Sequence, residues 1–281
     1  MAVREPSADA VTSRPISHAD GTKSDDRIAV EEPLEIRVAG EIVAVTMRTP
    51  GDDVALALGF LFAEGVLRGI DDVGTALHCG RVGDEGYGNA IEVTPAPGAH
   101  VVLKRIDSAR RGTLTTAACG ICGRQTIDDL LAACGDLEPG PMIARSLVAR
   151  APELLREHQP QFLATGGVHA AAILDEAGRV LSSAEDIGRH NAVDKTVGAL
   201  LRARRLPARR EVGAPAVLVV SGRASFEIVQ KATVARLAAV VSVSAASSLA
   251  VDLSQRVGLT LVGFTRGGTW TVYAHPERLA P

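Results

Sequence analysis

The sequence predicts an α/β protein (α+β overall): a mostly parallel sheet fills the C-terminal half, and a smaller α+β unit precedes it. Three observations predict it. From Gln161 onward, strand-like runs alternate with helical stretches, the order that builds a sheet with helices on its faces. Those runs, such as "AVLVVSG" and "VVSVSAA", are continuously apolar, as strands buried on both sides are. Upstream, "IAVEEPLEIRVAGEIVAVTMRT" alternates apolar and polar residues on both sides of Ala39-Gly40, the pattern of a β-hairpin.

Taken in order, residues 1–26 are polar, lack the apolar stretch of a secretory signal, and are expected to be a disordered tail. The N-terminal α+β unit spans 27–107. After its hairpin comes a helix with Thr49 as N-cap, Pro50 at the first helical position and Asp52 at the capping-box spacing. The helix body, "VALALGFLFAEGVL", is apolar nearly all round and so buried. Strands are expected at 77–81 and 89–94 and in "HVVLKRID". Residues 108–160 read as a mobile loop rich in Ser, Thr, Ala and Gly, a helix opened by Thr126 and Asp129, and a connector containing the helical "APELLREH". Residues 161–281 form the C-terminal domain, with two strands joined at Glu176-Ala177-Gly178 and a helix from about Asn191.

Bulk properties exclude several function classes. The chain has 281 residues, 46% hydrophobic and 22% charged, with a net charge of −3. No apolar run approaches the roughly 18 to 20 residues of a membrane-spanning helix, so no membrane role is expected. The net charge offers no basis for nucleic-acid binding. Four cysteines in a chain this long do not make a disulfide scaffold and suit a reducing compartment, the cytoplasm.

The chemistry-bearing residues begin with Cys119 and Cys122 in "TTAACGICGRQ". The C-x-x-C spacing alone allows a zinc half-site, a redox dithiol or a sulfur carrier. Gly120 and Gly123 let both sulfurs sit on a tip, and Arg110, Arg111 and Arg124 are close enough in sequence to lower a thiol pKa. A zinc site needs two more ligands, whereas Cys79 and Cys134 are isolated and His78 is the only adjacent histidine. A thioredoxin-like dithiol would open a helix directly after a strand, which this one does not. No resident metal is therefore expected.

His169 in "ATGGVHAAAIL" is either a core histidine or a site residue. "SSAEDIGRHNAVDK" packs Glu185, Asp186, Arg189, His190, Asn191, Asp194 and Lys195 into one strand-to-helix junction, and a functional role is favoured there. Ser221, Gly222 and Arg223 follow a buried strand and precede a helix, a turn suited to a phosphate. Ser244, Ser247 and Ser248 repeat the arrangement, and "GFTRGGTW" gives a third such edge with Arg266 between glycines. Three of these at one sheet edge point to a phosphate-bearing or nucleotide-like ligand. The five arginines between Arg202 and Arg210 suit a solvated loop or a docking patch for an acidic partner.

Six motifs in order, "ACGICGR", "ATGGVHAAAIL", "EDIGRHNAVDK", "SGRASFEIVQKA", "SVSAASSLAV" and "LTLVGFTRG", make the chain from about Ile28 to its end resemble the FdhD/NarQ family of formate dehydrogenase accessory sulfurtransferases. The resemblance implies a sulfur carrier that takes persulfide sulfur from a cysteine desulfurase. It would pass that sulfur to the molybdenum cofactor, in its Mo-bis-molybdopterin guanine dinucleotide form, for formate dehydrogenase. It further implies Cys119 as the persulfide carrier, with Cys122 as relay or disulfide partner, and Phe264, Thr265, Arg266, Gly267, Gly268 and Thr269 as a cofactor-binding segment. Two guanine dinucleotides suggest a C2 homodimer. The family's C-terminal half is cytidine-deaminase-like, which raises a rival activity. A zinc deaminase needs His-x-Glu followed by a later P-C-x-x-C, but His169 is followed by Ala170 and Ala171, and the C-x-x-C lies upstream. Deamination is rejected. The open alternatives are a cofactor-binding chaperone without sulfur transfer and a structural zinc protein.

Overall fold

The computed structural model describes residues 9–80, 87–99, 137, 140–209 and 211–281. The first departure from expectation comes at once. Most of the supposed tail is an antiparallel hairpin of β1 (Val11–Ser17) and β2 (Lys23–Ala29). Asp20 Oδ1 closes its turn by accepting from Thr22 N (3.0 Å) and Thr22 Oγ1 (2.7 Å), and Gly21 takes a φ of 85°. Both strands are mostly exposed and polar, so no apolar alternation announces them.

Next come β3 (Glu32–Val38) and β4 (Glu41–Arg48), joined where expected by Ala39 (φ 51°) and Gly40 (φ 84°), both in the left-handed region that a two-residue hairpin turn requires. Helix α1 runs over Asp53–Ala63, later than its sequence suggests. Thr49 does not cap it: Gly51 (φ 105°) and Asp52 (φ 55°) turn the chain first, and Thr49 is buried against the C-terminal half. Strands β5 (Val73–His78) and β6 (Ala90–Pro95) complete a four-stranded sheet in the order β4-β3-β6-β5, with β3 and β6 parallel.

The remainder is one larger unit. A short strand β7 (Ile143–Ala144) leads into α2 (Arg145–Arg156) and α3 (Pro160–Thr165). Then follow β8 (His169–Leu174), β9 (Val180–Asp186), α4 (Arg189–Arg202), β10 (Val217–Val220), α5 (Phe226–Val234), β11 (Ala239–Ser242), α6 (Ser248–Val257), β12 (Thr260–Arg266), β13 (Thr269–Ala274) and β14 (Leu279–Ala280), which pairs with β7. The large sheet has the order β13-β12-β11-β10-β8-β9. The adjacent strands β10, β11 and β12 are parallel, and the other three pairings are antiparallel, so the sheet is mixed.

Continuous apolar strands arise because each face is covered. In β10, Leu218 and Val220 join the core under the helices, while Val217 and Val219 face Leu147, Val148, Ala151 and Leu155 of α2. The segment expected to be a connector is thus the cover of the second face. The first core runs without interruption into Leu34, Ile36, Ile91 and Val93 of the small sheet, so both sheets share it. Helices α1 and α4 form that joint at backbone contact. A Cβ on Gly59 would lie 1.9 Å from the Asp194 carbonyl oxygen, and one on Gly198 would lie 1.9 Å from that of Ala55. Only glycine fits either place.

Candidate functional site

The crowded motif of residues 185–195 divides between two places. Asp186, fully buried, accepts from Thr49 N (3.1 Å), Gly188 N (2.8 Å) and Asn191 Nδ2 (2.9 Å), and pairs with Lys195 Nζ at 2.8 Å. Lys195 Nζ also donates to the Thr49 carbonyl at 2.7 Å. Asn191 donates to the Met47 carbonyl (2.7 Å) and accepts from Thr46 Oγ1 (3.3 Å). One helical turn on, Lys231 Nζ lies 2.7 Å from Asp194 Oδ1. Burial pushes the Asp194 carboxyl up to about 6 even with Lys231 beside it. For Lys231, burial works against the charge, but attraction to Asp194 and Glu64 outweighs it and holds the pKa above the usual lysine value. Glu185 accepts from Gln161 N and Phe162 N, both at 2.8 Å, and so fixes the start of α3. Its pKa is raised by burial, which those two bonds only partly offset.

These groups join the two sheets. Asn191, expected at the ligand site, belongs to that joint because both ends of its amide are engaged there.

Arg189 and His190 instead face the carboxyl edge of the large sheet. There, β10 ends in Ser221, Gly222 and Arg223, and β8 begins with His169 alongside. A Cβ on Gly222 would lie 3.4 Å from His169 Nδ1 and 3.5 Å from Arg189 Cδ, ordinary contact distances that place Gly222 against both side chains. Arg189 Nε is buried without a hydrogen-bond partner. Its pKa is lowered by burial and by the nearby Arg223. His169 is lowered by burial, then by Arg189, His190 and Arg223, so its imidazole is neutral near pH 7. Two guanidiniums beside each other, one with a buried unused donor, make an environment that an anion would relieve.

The other expected site residues take varied positions. His190 is 8% exposed, with Nε2 2.9 Å from Glu227 Oε2 and 3.2 Å from Ser225 Oγ, so it is bound within the protein. Its pKa is lowered by burial, against the pull of Glu227. Ser221 N donates to the Ala170 carbonyl and Ser221 Oγ accepts from Ala170 N, which leaves the amides of Gly222 and Arg223 without bonds among the described residues. Ser247 Oγ caps α6 through Ala250 N at 3.4 Å, and Ser248 is exposed beside it. The two strand-to-helix turns are joined: Ala224 N donates to the Ala245 carbonyl and Ser247 N to the Ala224 carbonyl.

Phe264 to Thr269 is a hairpin tip, not a third strand-to-helix turn. Gly267 (φ 58°) and Gly268 (φ 76°) join Arg266 to its partner Thr269. Phe264 sits at φ 54°, is 44% exposed, and donates its amide to the Ser244 carbonyl. Thr265 is buried with an unpartnered Oγ1. Strand spacing puts the base of this hairpin, at Phe264, roughly 10 Å from the Ser221 turn, two strands away at the same edge.

Arg189 was legible only as one charge among several at a strand-to-helix junction, and Glu227 was not singled out; nothing in their spacing assigns one to the edge and the other to His190. In the arginine cluster, Arg204 pairs with Asp71 (2.6 Å) and Arg205 donates to the Gly213 carbonyl. Cys119, Cys122 and Cys134 lie outside the described residues, as do the expected "HVVLKRID" strand and the helix at Thr126. Cys79 is free and half-buried. Among the described residues no cluster of His, Cys, Asp and Glu could hold a metal ion, and no helix is long and apolar enough to cross a membrane.

Fold and edge together define an α/β protein with a cationic corner at the carboxyl end of its central strands. The FdhD/NarQ family model matches residues 29–280, and the chain belongs to that family. It is 54% identical over 273 residues to the "Sulfur carrier protein FdhD" of Anaeromyxobacter sp. (strain K), covering 97% of this chain and 94% of that protein. The protein of the same name from Mycobacterium tuberculosis (strain ATCC 25618 / H37Rv) is 44% identical, covering 99% and 96%. A crystal structure of a proposed formate dehydrogenase accessory protein from Desulfotalea psychrophila aligns with a TM-score of 0.70 at 22% identity, over 96% of this chain and 98% of that one. That likeness bears on the fold.

Proposed function

We propose that this chain is a cytoplasmic sulfur carrier serving formate dehydrogenase maturation. It accepts persulfide sulfur from a cysteine desulfurase and delivers it to the molybdenum cofactor in its bis-guanine dinucleotide form. The name shared by relatives that span nearly the whole chain supports the carrier role. The observation that carries the cofactor half is the corner of Arg189, Arg223 and the unbonded Gly222 and Arg223 amides, which suits a diphosphate.

The chemistry balances within the protein's own thiols. The Cys119 thiolate attacks the outer sulfur of the desulfurase persulfide; the desulfurase S–S bond breaks, its cysteine leaves as thiolate, and Cys119 carries S–SH. The Cys122 thiolate then attacks the inner sulfur. The two cysteines become a disulfide, supplying two electrons, and the terminal sulfur departs as hydrosulfide to the metal of the cargo. His169, neutral at the corner, can accept the proton that the departing sulfur gives up. Two guanine dinucleotides would be met by two such corners in a C2 homodimer.

Intact-mass spectrometry after incubation with an active cysteine desulfurase and cysteine tests the carrier step. A gain of one sulfur atom that disappears in Cys119→Ala is expected. A wild-type chain that gains nothing while formate dehydrogenase still matures would leave a cofactor chaperone instead.

A further inference from the structure

A separate cavity of about 890 Å³ opens between the β1–β2 hairpin and the four-stranded sheet. Arg48, only 2% exposed, builds its inner wall. Its Nε and Nη2 reach the two Asp53 carboxylate oxygens and its Nη1 reaches Glu32 Oε2, all at 3.0 Å. Nη2 also donates to the Gly88 carbonyl and to Asn89 Oδ1. Arg48 is thus paired with carboxylates on two sides, and four of its five N–H donors are engaged, leaving one on Nη1.

The rest of the lining mixes apolar residues such as Val11, Ile28 and Pro50 with three further carboxylates. Asp9, Glu31 and Asp52 line the cavity, and among the described residues their carboxylates make no hydrogen bond or ion pair. Arg14, the other lining cation, donates to its own strand at Thr12 Oγ1 and the Ser13 carbonyl. Among the described lining residues, the five carboxylates of Asp9, Glu31, Glu32, Asp52 and Asp53 outnumber the two guanidiniums of Arg14 and Arg48, a formal charge of −3 over those groups. Two rings, His78 and Tyr87, complete the lining with centroids 6.2 Å apart and planes at 45°, and His78 Nδ1 is buried with no partner.

We propose that this cavity is a second binding site, for a guanidinium group, held by Glu31 and Asp52 and stacked on the His78–Tyr87 rings. A guanidinium is planar and weakly hydrated, forks onto carboxylates and stacks on aromatic faces, whereas an ammonium is a compact, strongly hydrated point charge. The net charge turns anions away. The hairpin wall, Asp9 to Arg14 and Ile28, lies before residue 29, where the family match begins, so the cavity is not built by the shared family segment alone. None of its residues belongs to the cationic corner.

Calorimetric titration of the full chain at low salt, where screening is weakest, tests this with agmatine and with Gly-Arg-Gly amide. Saturable binding of either is expected, weakened at least tenfold in Glu31→Gln/Asp52→Asn and unchanged in Arg189→Ala. Tighter binding of the tripeptide assigns the guanidinium to a polypeptide arginine, and tighter binding of agmatine assigns it to a free metabolite. Equal binding of butylamine, preference for sulfate, no saturation at millimolar probe, or full binding by the double variant would overturn it. Both substituted positions are exposed, and an unchanged thermal melt verifies that the variant is folded. Failure here leaves the sulfur-carrier proposal untouched, since the Arg189 corner is tested separately.

Discussion

The joint between the two sheets and the corner at the sheet edge draw on the same eleven residues, yet they differ in how their polar groups are satisfied. At the joint, Asp186, Asn191, Asp194 and Lys195 are all buried and each has its partners in place. At the corner, Arg189 leaves a buried Nε unused, and both it and the neighbouring His169 have their pKa lowered by burial and by Arg223. A completed buried network holds an architecture; a cationic group left incomplete is one that a ligand can complete. Charge density alone does not separate the two, because both are dense.

The sharpest way to break the comparison is at the joint. Lys231→Met removes the partner of a fully buried carboxylate, and losing one member of such a pair costs about 3–5 kcal/mol. The sign of its pH dependence follows from Asp194. Its folded pKa, about 6, is above the unfolded value of 3.8, so between those limits the native state keeps a proton that the unfolded chain releases. Stability from this group therefore falls as pH rises through that window. Without Lys231 the folded pKa rises further and the window widens. Urea denaturation at pH 5 and pH 8 should show a smaller deficit for Lys231→Met at pH 5. An equal deficit at both would mean that the carboxylate finds another partner.

At the corner the same kind of charge deletion should leave folding alone. Arg189→Ala is expected to melt close to wild type while binding GDP, a stand-in for half of the dinucleotide, roughly 10- to 100-fold more weakly, as loss of a charge-assisted bond worth about 1.5–3 kcal/mol predicts. Loss of stability comparable to that of the joint variant would merge the two regions and remove the ground for a ligand there.

The parts of this division that were legible in the sequence are those carried by periodicity and by glycine. Strand and helix order after Gln161 follows from apolar runs, and the hairpin at Ala39-Gly40 from the alternation of apolar and polar residues on both sides of it. The β1–β2 hairpin was hidden because its strands bury almost nothing, and the role of α2 because a helix pattern does not say which face of a sheet it will cover. At the site, the serine turns were visible as strand-to-helix punctuation. The fate of Asn191 was not, since its partners Met47 and Thr46 come from a strand about 145 residues earlier. Spacing within a motif says nothing about such contacts.

The smallest expected effect isolates this last point in a matched pair. Ser225 and Ser247 stand at the same place, the residue before the helix, in the two joined turns. Ser247 Oγ accepts from Ala250 N and is a true cap, so Ser247→Ala should cost about 1 kcal/mol. Ser225 makes no capping bond; its hydroxyl lies 3.2 Å from His190 Nε2 instead. Ser225→Ala should therefore cost only a few tenths of a kcal/mol in urea denaturation, below the usual cap range. It should instead shift the His190 titration seen by NMR, which Ser247→Ala leaves in place. Equal stability losses would show that Ser225 caps after all, and then His190 is held by Glu227 alone.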